Sequence, residues 1–336
     1  MSSSSTNFTS RAFIEGLDAT DPLASFRQEF VITDEDTCYL DGNSLGRLPL
    51  ATIGVVNDFL HNEWGAQMVS GWNSWIDEAQ STGDLIGRAT LGVEPGQMLA
   101  VDTTSVNFYQ LCHAAITARP GRHKVISDTA NFPTDRYILE GLCQELGCEL
   151  VLINDEDGEE YVTPEMLAPY LDDDVALVTF SVIQYRSGAL HDIARISQMT
   201  RDTGALCVWD ASHAVGVVPM QLDHDNAGLA IGCTYKYGNS GPGSPGWLYV
   251  SKSLQQELHV PIQGWFAQDD QFAMAQGFDR SPTIRGFQIA SPSIIGLRCV
   301  QTSFEMIARA GLTAIAKKAA TGTEMMLALH DAWLAP

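Results

Sequence analysis

Lys236 sits in Tyr235-Lys236-Tyr237, between the apolar run Leu229–Thr234 and a loop of small residues, Gly238–Gly246. A lysine is ordinarily a surface charge. At the junction of an apolar strand and a loop it can instead be desolvated and form a Schiff base with a carbonyl compound. The glycines that follow would let a ligand or another backbone come close. Asp210 closes a second apolar run in Val208-Trp209-Asp210-Ala211-Ser212-His213. A carboxylate at the end of a buried strand is costly unless it is paired. It either caps a following helix or faces a cationic ring nitrogen, as in pyridoxal phosphate enzymes, where a protonated pyridine is the better electron sink. Asp210 and Lys236 are 26 residues apart, with one further strand between them, so neighbouring strand ends can present both to one ligand. Thr103-Thr104-Ser105 precedes an apparent helix near Val106. It reads equally well as an anion cradle and as a plain N-cap.

The elements that must position these residues alternate. Lys124–Ser127, Glu149–Ile153, Val175–Phe180, Ala205–Trp209, Leu229–Thr234 and Trp247–Ser251 read as strands. Thr134–Leu146, with Tyr137, Leu139, Leu142 and Leu146 as apolar positions, reads as a helix, as does the segment around Ile193, Ile196 and Met199 that stops at Gly204. This order predicts a mostly parallel sheet between helices, with ligands at the carboxyl ends of the strands. Short helices are expected over Phe13–Phe30 and a strand over Tyr39–Asp41. A helix after Pro49 would carry Ile53, Val56, Phe59 and Leu60 on one face, and a long helical pattern runs from Leu297 to Trp333. Residues 1–10, with the run Ser2–Ser5, read as a disordered tail.

The 336 residues carry 19 basic and 41 acidic side chains, a net charge of −22, which disfavours nucleic acid or anionic membrane as partners. The longest stretch free of charged residues, Thr103–Ala118, is too polar to span a bilayer. The Ser run lacks the basic and apolar regions of a secretory signal. The 7 cysteines are scattered without a CxxC pair, which favours reduced thiols, and the expectation is a cytoplasmic protein with no metal site. The acidic runs Asp155–Glu160 and Asp172–Asp174 read as solvated, and Cys299 as a core residue.

Four motifs occur in order: Tyr39-Leu40-Asp41-Gly42-Asn43-Ser44-Leu45-Gly46, Asn131-Phe132-Pro133-Thr134-Asp135, Trp209-Asp210-Ala211-Ser212-His213-Ala214-Val215-Gly216, and Cys233-Thr234-Tyr235-Lys236-Tyr237-Gly238-Asn239-Ser240-Gly241-Pro242-Gly243. Together they resemble the kynureninases, fold-type-I pyridoxal phosphate hydrolases, from about Leu17 to about Ala310. The resemblance implies an α/β fold of the PLP-dependent transferase type. Residues 11–60 would be an arm contributing to a small domain, 61–296 the large cofactor-binding domain, and 297–336 a linking helix and the start of a small domain. Pyridoxal phosphate is the implied cofactor, joined to Lys236. Asp210 would pair with the pyridine nitrogen beside His213, Thr104 and Ser105 would hold the cofactor, and Phe132 would stack on its ring, with Pro133, Thr134, Asp135 and Ser181 as further contacts. Tyr235 would reach the phosphate, relay protons and donate to the substrate's γ-carbonyl oxygen. Trp265 and Ser291 would serve the neighbouring subunit's site in a homodimer, and Asn43, Ser44 and Trp72 would line the substrate's aryl group.

The implied reaction cleaves the Cβ–Cγ bond of L-kynurenine or its 3-hydroxy derivative, giving anthranilate or 3-hydroxyanthranilate and L-alanine, in tryptophan catabolism. Relatives continue past the linking helix into a small domain that carries the arginine for the substrate α-carboxylate; no residue here takes that role. The helix bearing Met325, Met326, Leu327 and Leu329 would then expose an apolar stripe. Two other readings follow: a family member that binds cofactor or pairs with a full-length subunit without turnover, and another fold-type-I enzyme such as a cysteine desulfurase. The latter needs a thiol on a mobile Gly/Ser-rich loop, where this sequence has none.

Overall fold

A computed structural model describes residues 7–154 and 161–335. The Ser run and the acidic run Asp155–Glu160 lie outside the described residues. Among the described residues, seven strands form one sheet: β1 (Met98–Ala100), β2 (Lys124–Asp128), β3 (Glu149–Ile153), β4 (Val175–Ser181), β5 (Leu206–Asp210), β6 (Leu229–Gly232) and β7 (Trp247–Val250). Their order is β1-β7-β6-β5-β4-β2-β3. The pairs from β3 to β6 are parallel, and β7 runs antiparallel between β6 and β1. The mostly parallel sheet expected from the alternation is present. β1 was not legible, because three residues show no period.

Side-chain alternation divides the core. Cys207 and Trp209 of β5, Ala230 of β6, and Trp247 and Tyr249 of β7 enter one apolar layer. Leu206, Val208, Leu229, Ile231, Leu248 and Val250 enter the other. This period of two is what a sheet covered on both faces requires.

The principal helices are α1 (Arg11–Ala19), α2 (Leu50–Asp58), α3 (Glu78–Ile86), α4 (Thr104–Thr117), α5 (Pro133–Leu146), α6 (Ile193–Asp202), α7 (Ile294–Ala310) and α8 (Leu312–Trp333). Helices α3, α6 and α7 supply Ile86, Ile196, Leu297 and Phe304 to the first layer. Helices α4 and α5 supply Phe108, Leu111, Leu139 and Leu142 to the second. Pro133 starts α5 at a position that needs no N–H, and Gly147 (φ +70°) stops it.

Several expectations are corrected. Tyr39–Asp41 forms no strand: the segment turns, with Ser44 and Leu45 N–H both donating to the Asp41 carbonyl. On α2 and the π-turn Phe59–Trp64 that continues it, Thr52 and Phe59 are buried while Ile53 and Leu60 are exposed. The π-turn shifts the inward face away from the α-helical period. Tyr137 of α5 is likewise exposed. The long C-terminal pattern breaks at Gly311 (φ +81°); of the apolar stripe expected to be exposed on α8, Met326 and Leu327 face solvent while Met325 and Leu329 are half-buried. Phe8, inside the stretch read as a tail, is buried against Phe13. The cysteines are free, with Cys299 half-buried. Among the described residues, no helix is long and apolar enough to cross a membrane.

Candidate active site

β5 and β6 are parallel neighbours, with Asp210 opposite Ile231. Asp210 ends β5, and the chain leaves β6 at Gly232 to reach Lys236 four residues later. The turn after Asp210 is fixed by Ser212 N–H donating to Asp210 Oδ1 (2.8 Å) and Cys233 N–H donating to Ser212 Oγ (3.2 Å). A run of turns follows, so the helix-cap reading of Asp210 gives way to a local Asx-type turn. His213, on the same turn, places Nε2 2.7 Å from Lys236 Nζ. Burial, reinforced by the positive charge of Lys236, pushes the His213 imidazole below its usual range. The neutral ring accepts the lysine proton at Nε2 and keeps its own on Nδ1. The Phe132 ring centroid lies 5.6 Å from Lys236 Nζ.

Carboxylates gather behind this pair. Asp135, in the first turn of α5, is buried, as is Asp210. Burial, and then the neighbouring Asp210 carboxylate, push the Asp135 carboxyl well above the usual range. Asp135 Oδ2 has no hydrogen-bond partner among the described residues. Asp128, ending β2, is buried as well, and desolvation pushes its carboxyl up to about 6. A buried acidic cluster with an unpartnered oxygen beside a lysine fits a ligand that brings a cation, such as a protonated ring nitrogen.

The 14-residue helix α4 starts at Thr104, its N-cap Thr103 accepting from Val106 N–H (3.3 Å). The cap function therefore falls to Thr103. Thr104, half-buried, and Ser105, exposed, occupy the first turn, where backbone N–H groups and the helix dipole favour an anion. The turn Tyr39–Gly46 reaches this region from the N-terminal arm. Gly46 N–H donates to the Tyr235 carbonyl (2.8 Å), and a Cβ on Gly46 would lie 2.2 Å from the Lys236 carbonyl oxygen. Asn43 and Ser44 are exposed on that turn. Tyr235 is half-buried, and burial holds its phenol protonated.

The structure thus brings Lys236, His213, Asp210, Asp135 and Phe132 together, with Pro133 and Thr134 opening α5 beside them. Ser181 ends β4 next to Asp210, but its hydroxyl donates to Asn131 Oδ1 (2.8 Å). Trp72 packs against Trp75 and Phe266 (centroids 5.6 and 6.0 Å). Trp265 is half exposed and donates its indole N–H to the Gln271 carbonyl, and Ser291 is exposed. Sequence reasoning missed Asn131, Asp128 and Gln184 as site residues. Only the position of Asn131 beside Phe132 carried a signal.

Residues 102–331 match the family model described as Aminotransferase class-V. The chain is 34% identical over 331 residues to a kynureninase from Pseudomonas fluorescens, covering 96% of this chain and 77% of that protein. It is 35% identical to a kynureninase from Burkholderia pseudomallei, covering 94% of this chain and 75% of that protein. Among solved structures, the cysteine desulfurase of Thermococcus onnurineus superposes with a TM-score of 0.76 at 17% identity, covering 96% of this chain and 77% of that one. A cysteine desulfurase from Escherichia coli gives 0.77 at 15%, covering 93% and 78%. At such identities the structures speak for the fold, and the sequence matches speak for the family. The chain belongs to the kynureninase family of fold-type-I pyridoxal phosphate enzymes.

Proposed function

We propose that this protein hydrolyses the Cβ–Cγ bond of L-kynurenine or its 3-hydroxy derivative, to give anthranilate or 3-hydroxyanthranilate and L-alanine. The observation that carries the reading is the Lys236–His213 pair at 2.7 Å beside the buried Asp135–Asp210 acids, in a chain of this family. Pyridoxal phosphate, when bound, supplies an electron sink for the pair of electrons left on the substrate's α-carbon.

The chain's own groups would divide the remaining work. Lys236 Nζ is the attachment point for the cofactor and, once released, the base that takes the α-proton. His213 Nε2 accepts an N–H of Lys236, which aims the amine and leaves its lone pair free for that proton. Asp210 holds the ring nitrogen protonated while Asp135 keeps its own proton, so the two acids need not both be charged. The first turn of α4, with Thr104 and Ser105, takes the phosphate. Phe132 offers a flat apolar face 5.6 Å from Nζ. Burial keeps the Tyr235 phenol a donor, suited to the γ-carbonyl oxygen as negative charge builds there. Water adds to the γ-carbon, the Cβ–Cγ bond then breaks with its electron pair going to Cβ, which takes up a proton as the methyl group of alanine, and the oxygen of the water stays in the new carboxylate of anthranilate.

The turn bearing Asn43 and Ser44 lies on the Lys236 loop and would line the aryl end together with Trp72. The exposure of Trp265 and Ser291 suits residues that serve a second copy in a homodimer. The desulfurase reading finds less support. Cys233, three residues before Lys236, is buried, and desolvation raises its thiol above the usual range. The test is product analysis of the cofactor-loaded protein with L-kynurenine and, separately, L-cysteine. Anthranilate and alanine in equal amounts from the first are expected. Alanine from cysteine, with none from kynurenine, would overturn the reading.

A further inference from the structure

The aromatic face beside Lys236 is held by a side chain outside the motif's chemistry. Asn131 is 1% exposed, and its side chain makes three hydrogen bonds. Its Nδ2 donates to Ser127 Oγ (3.1 Å), and its Oδ1 accepts from Ser181 Oγ (2.8 Å) and from Phe132 N–H (2.8 Å). Ser127 lies in β2 and Ser181 ends β4, so one amide ties two neighbouring strands to the N-cap residue of α5. Phe132 is pinned from both sides. Its N–H is held by Asn131, and its carbonyl accepts from Asp135 N–H (3.1 Å) in the first turn of α5. With N–H and carbonyl both fixed, the direction of its Cα–Cβ bond is fixed, and the ring rests edge-on against Tyr185 (centroids 5.4 Å, 87°).

Ser181 enters the same argument. A hydroxyl has one proton to give. Ser181 gives it to Asn131 Oδ1, so it has none to donate to a ligand. We infer that Asn131 is a positioning residue for the Phe132 ring, and that Ser181 acts on cofactor binding through Asn131 rather than by donating to the cofactor itself. The inference rests on the reading that Phe132 faces the cofactor.

The test is the dissociation constant of pyridoxal phosphate for the apoprotein, with apoprotein melting recorded in parallel, in Asn131→Ala, Ser181→Ala, Phe132→Ala and the paired variants. Removing Asn131 leaves buried donors unsatisfied and loosens Phe132, so cofactor affinity should fall about tenfold. That loss should shrink to little in the Phe132→Ala background, and the Ser181→Ala loss should vanish in the Asn131→Ala background. Full additivity in either pair would overturn the inference while leaving the cofactor reading intact. So would lower melting of Asn131→Ala with unchanged affinity. A Phe132→Ala protein with unaltered affinity would overturn both. If Asn131→Ala does not fold, the Ser181→Ala and Phe132→Ala pair decides by the same criterion.

Discussion

The acids around Lys236 differ in what they contribute, and pH separates them. Asp128 accepts from Gln184 Nε2 (3.0 Å) through Oδ1, while its Oδ2 is buried without a partner among the described residues. Desolvation raises this carboxyl to about 6 in the folded protein. The folded state therefore holds the proton more tightly than the unfolded chain. Stability on this account is greatest below the ordinary carboxylate range and falls as pH rises towards 6. Asp128→Asn keeps the Gln184 bond and removes that loss. Urea unfolding of the apoprotein should show a gain of about 1–3 kcal/mol at pH 8 and close to none at pH 4. An equal gain at both values would contradict the assignment. Asp210→Asn should leave the fold intact and weaken both cofactor binding and turnover, because an amide cannot keep the ring nitrogen protonated; unchanged turnover would remove Asp210 from the site. Lys236 and Asp210 were legible as a pair because a charged residue ending an apolar run is conspicuous. The acid cluster as a whole was not: the motif resemblance named Asp135, but Asp128 looks like an ordinary strand-end residue until β2 and the start of α5 are brought to the same end of the sheet as β5.

The strands and the helices of the sheet region were legible where the apolar period was clear, as in β4, β5 and α6. The turn Tyr39–Gly46 of the N-terminal arm was not, because hydrogen bonds to the Asp41 and Tyr235 carbonyls set it rather than an apolar period. Its closest approach is at Gly46, where the Lys236 carbonyl and Asn239 Oδ1 occupy the space of a Cβ. Gly46→Ala should push the arm off the Lys236 loop, lowering stability by about 2 kcal/mol and weakening cofactor binding. Thermal melting and a cofactor titration measure both, and an unaltered cofactor affinity would show that the arm does not help shape the site. Gly311 sits at φ +81° between α7 and α8 with open space around its Cβ position. Gly311→Ala therefore meets only backbone strain, and about 1 kcal/mol of lost stability is expected with the catalytic constants unaffected.

At the scale of the molecule, the sheet gathers its chemistry at one end, where β2, β4, β5 and β6 finish, and a parallel sheet makes that outcome general. The whole-chain pattern, alternating strands and helices followed by a long helical tail, was readable from the sequence. The surface was not. Trp64, Met68, Val69, Phe272 and Met274 are all more than half exposed, and nothing in their spacing announced it. Such exposure fits the proposed homodimer. Light scattering behind size exclusion should give twice the 36.5 kDa chain, and a monomer at every concentration would contradict shared sites. The central claim, that Lys236 serves a kynurenine-cleaving site, is tested most directly by one paired measurement. Absorbance of the protein with pyridoxal phosphate is recorded, L-kynurenine is added, and anthranilate fluorescence is followed, for the parent and for Lys236→Ala. A cofactor band and anthranilate release that are both lost in Lys236→Ala are the predicted result. A parent protein that binds the cofactor but releases no anthranilate, or a Lys236→Ala protein that releases it as fast as the parent, would contradict the claim.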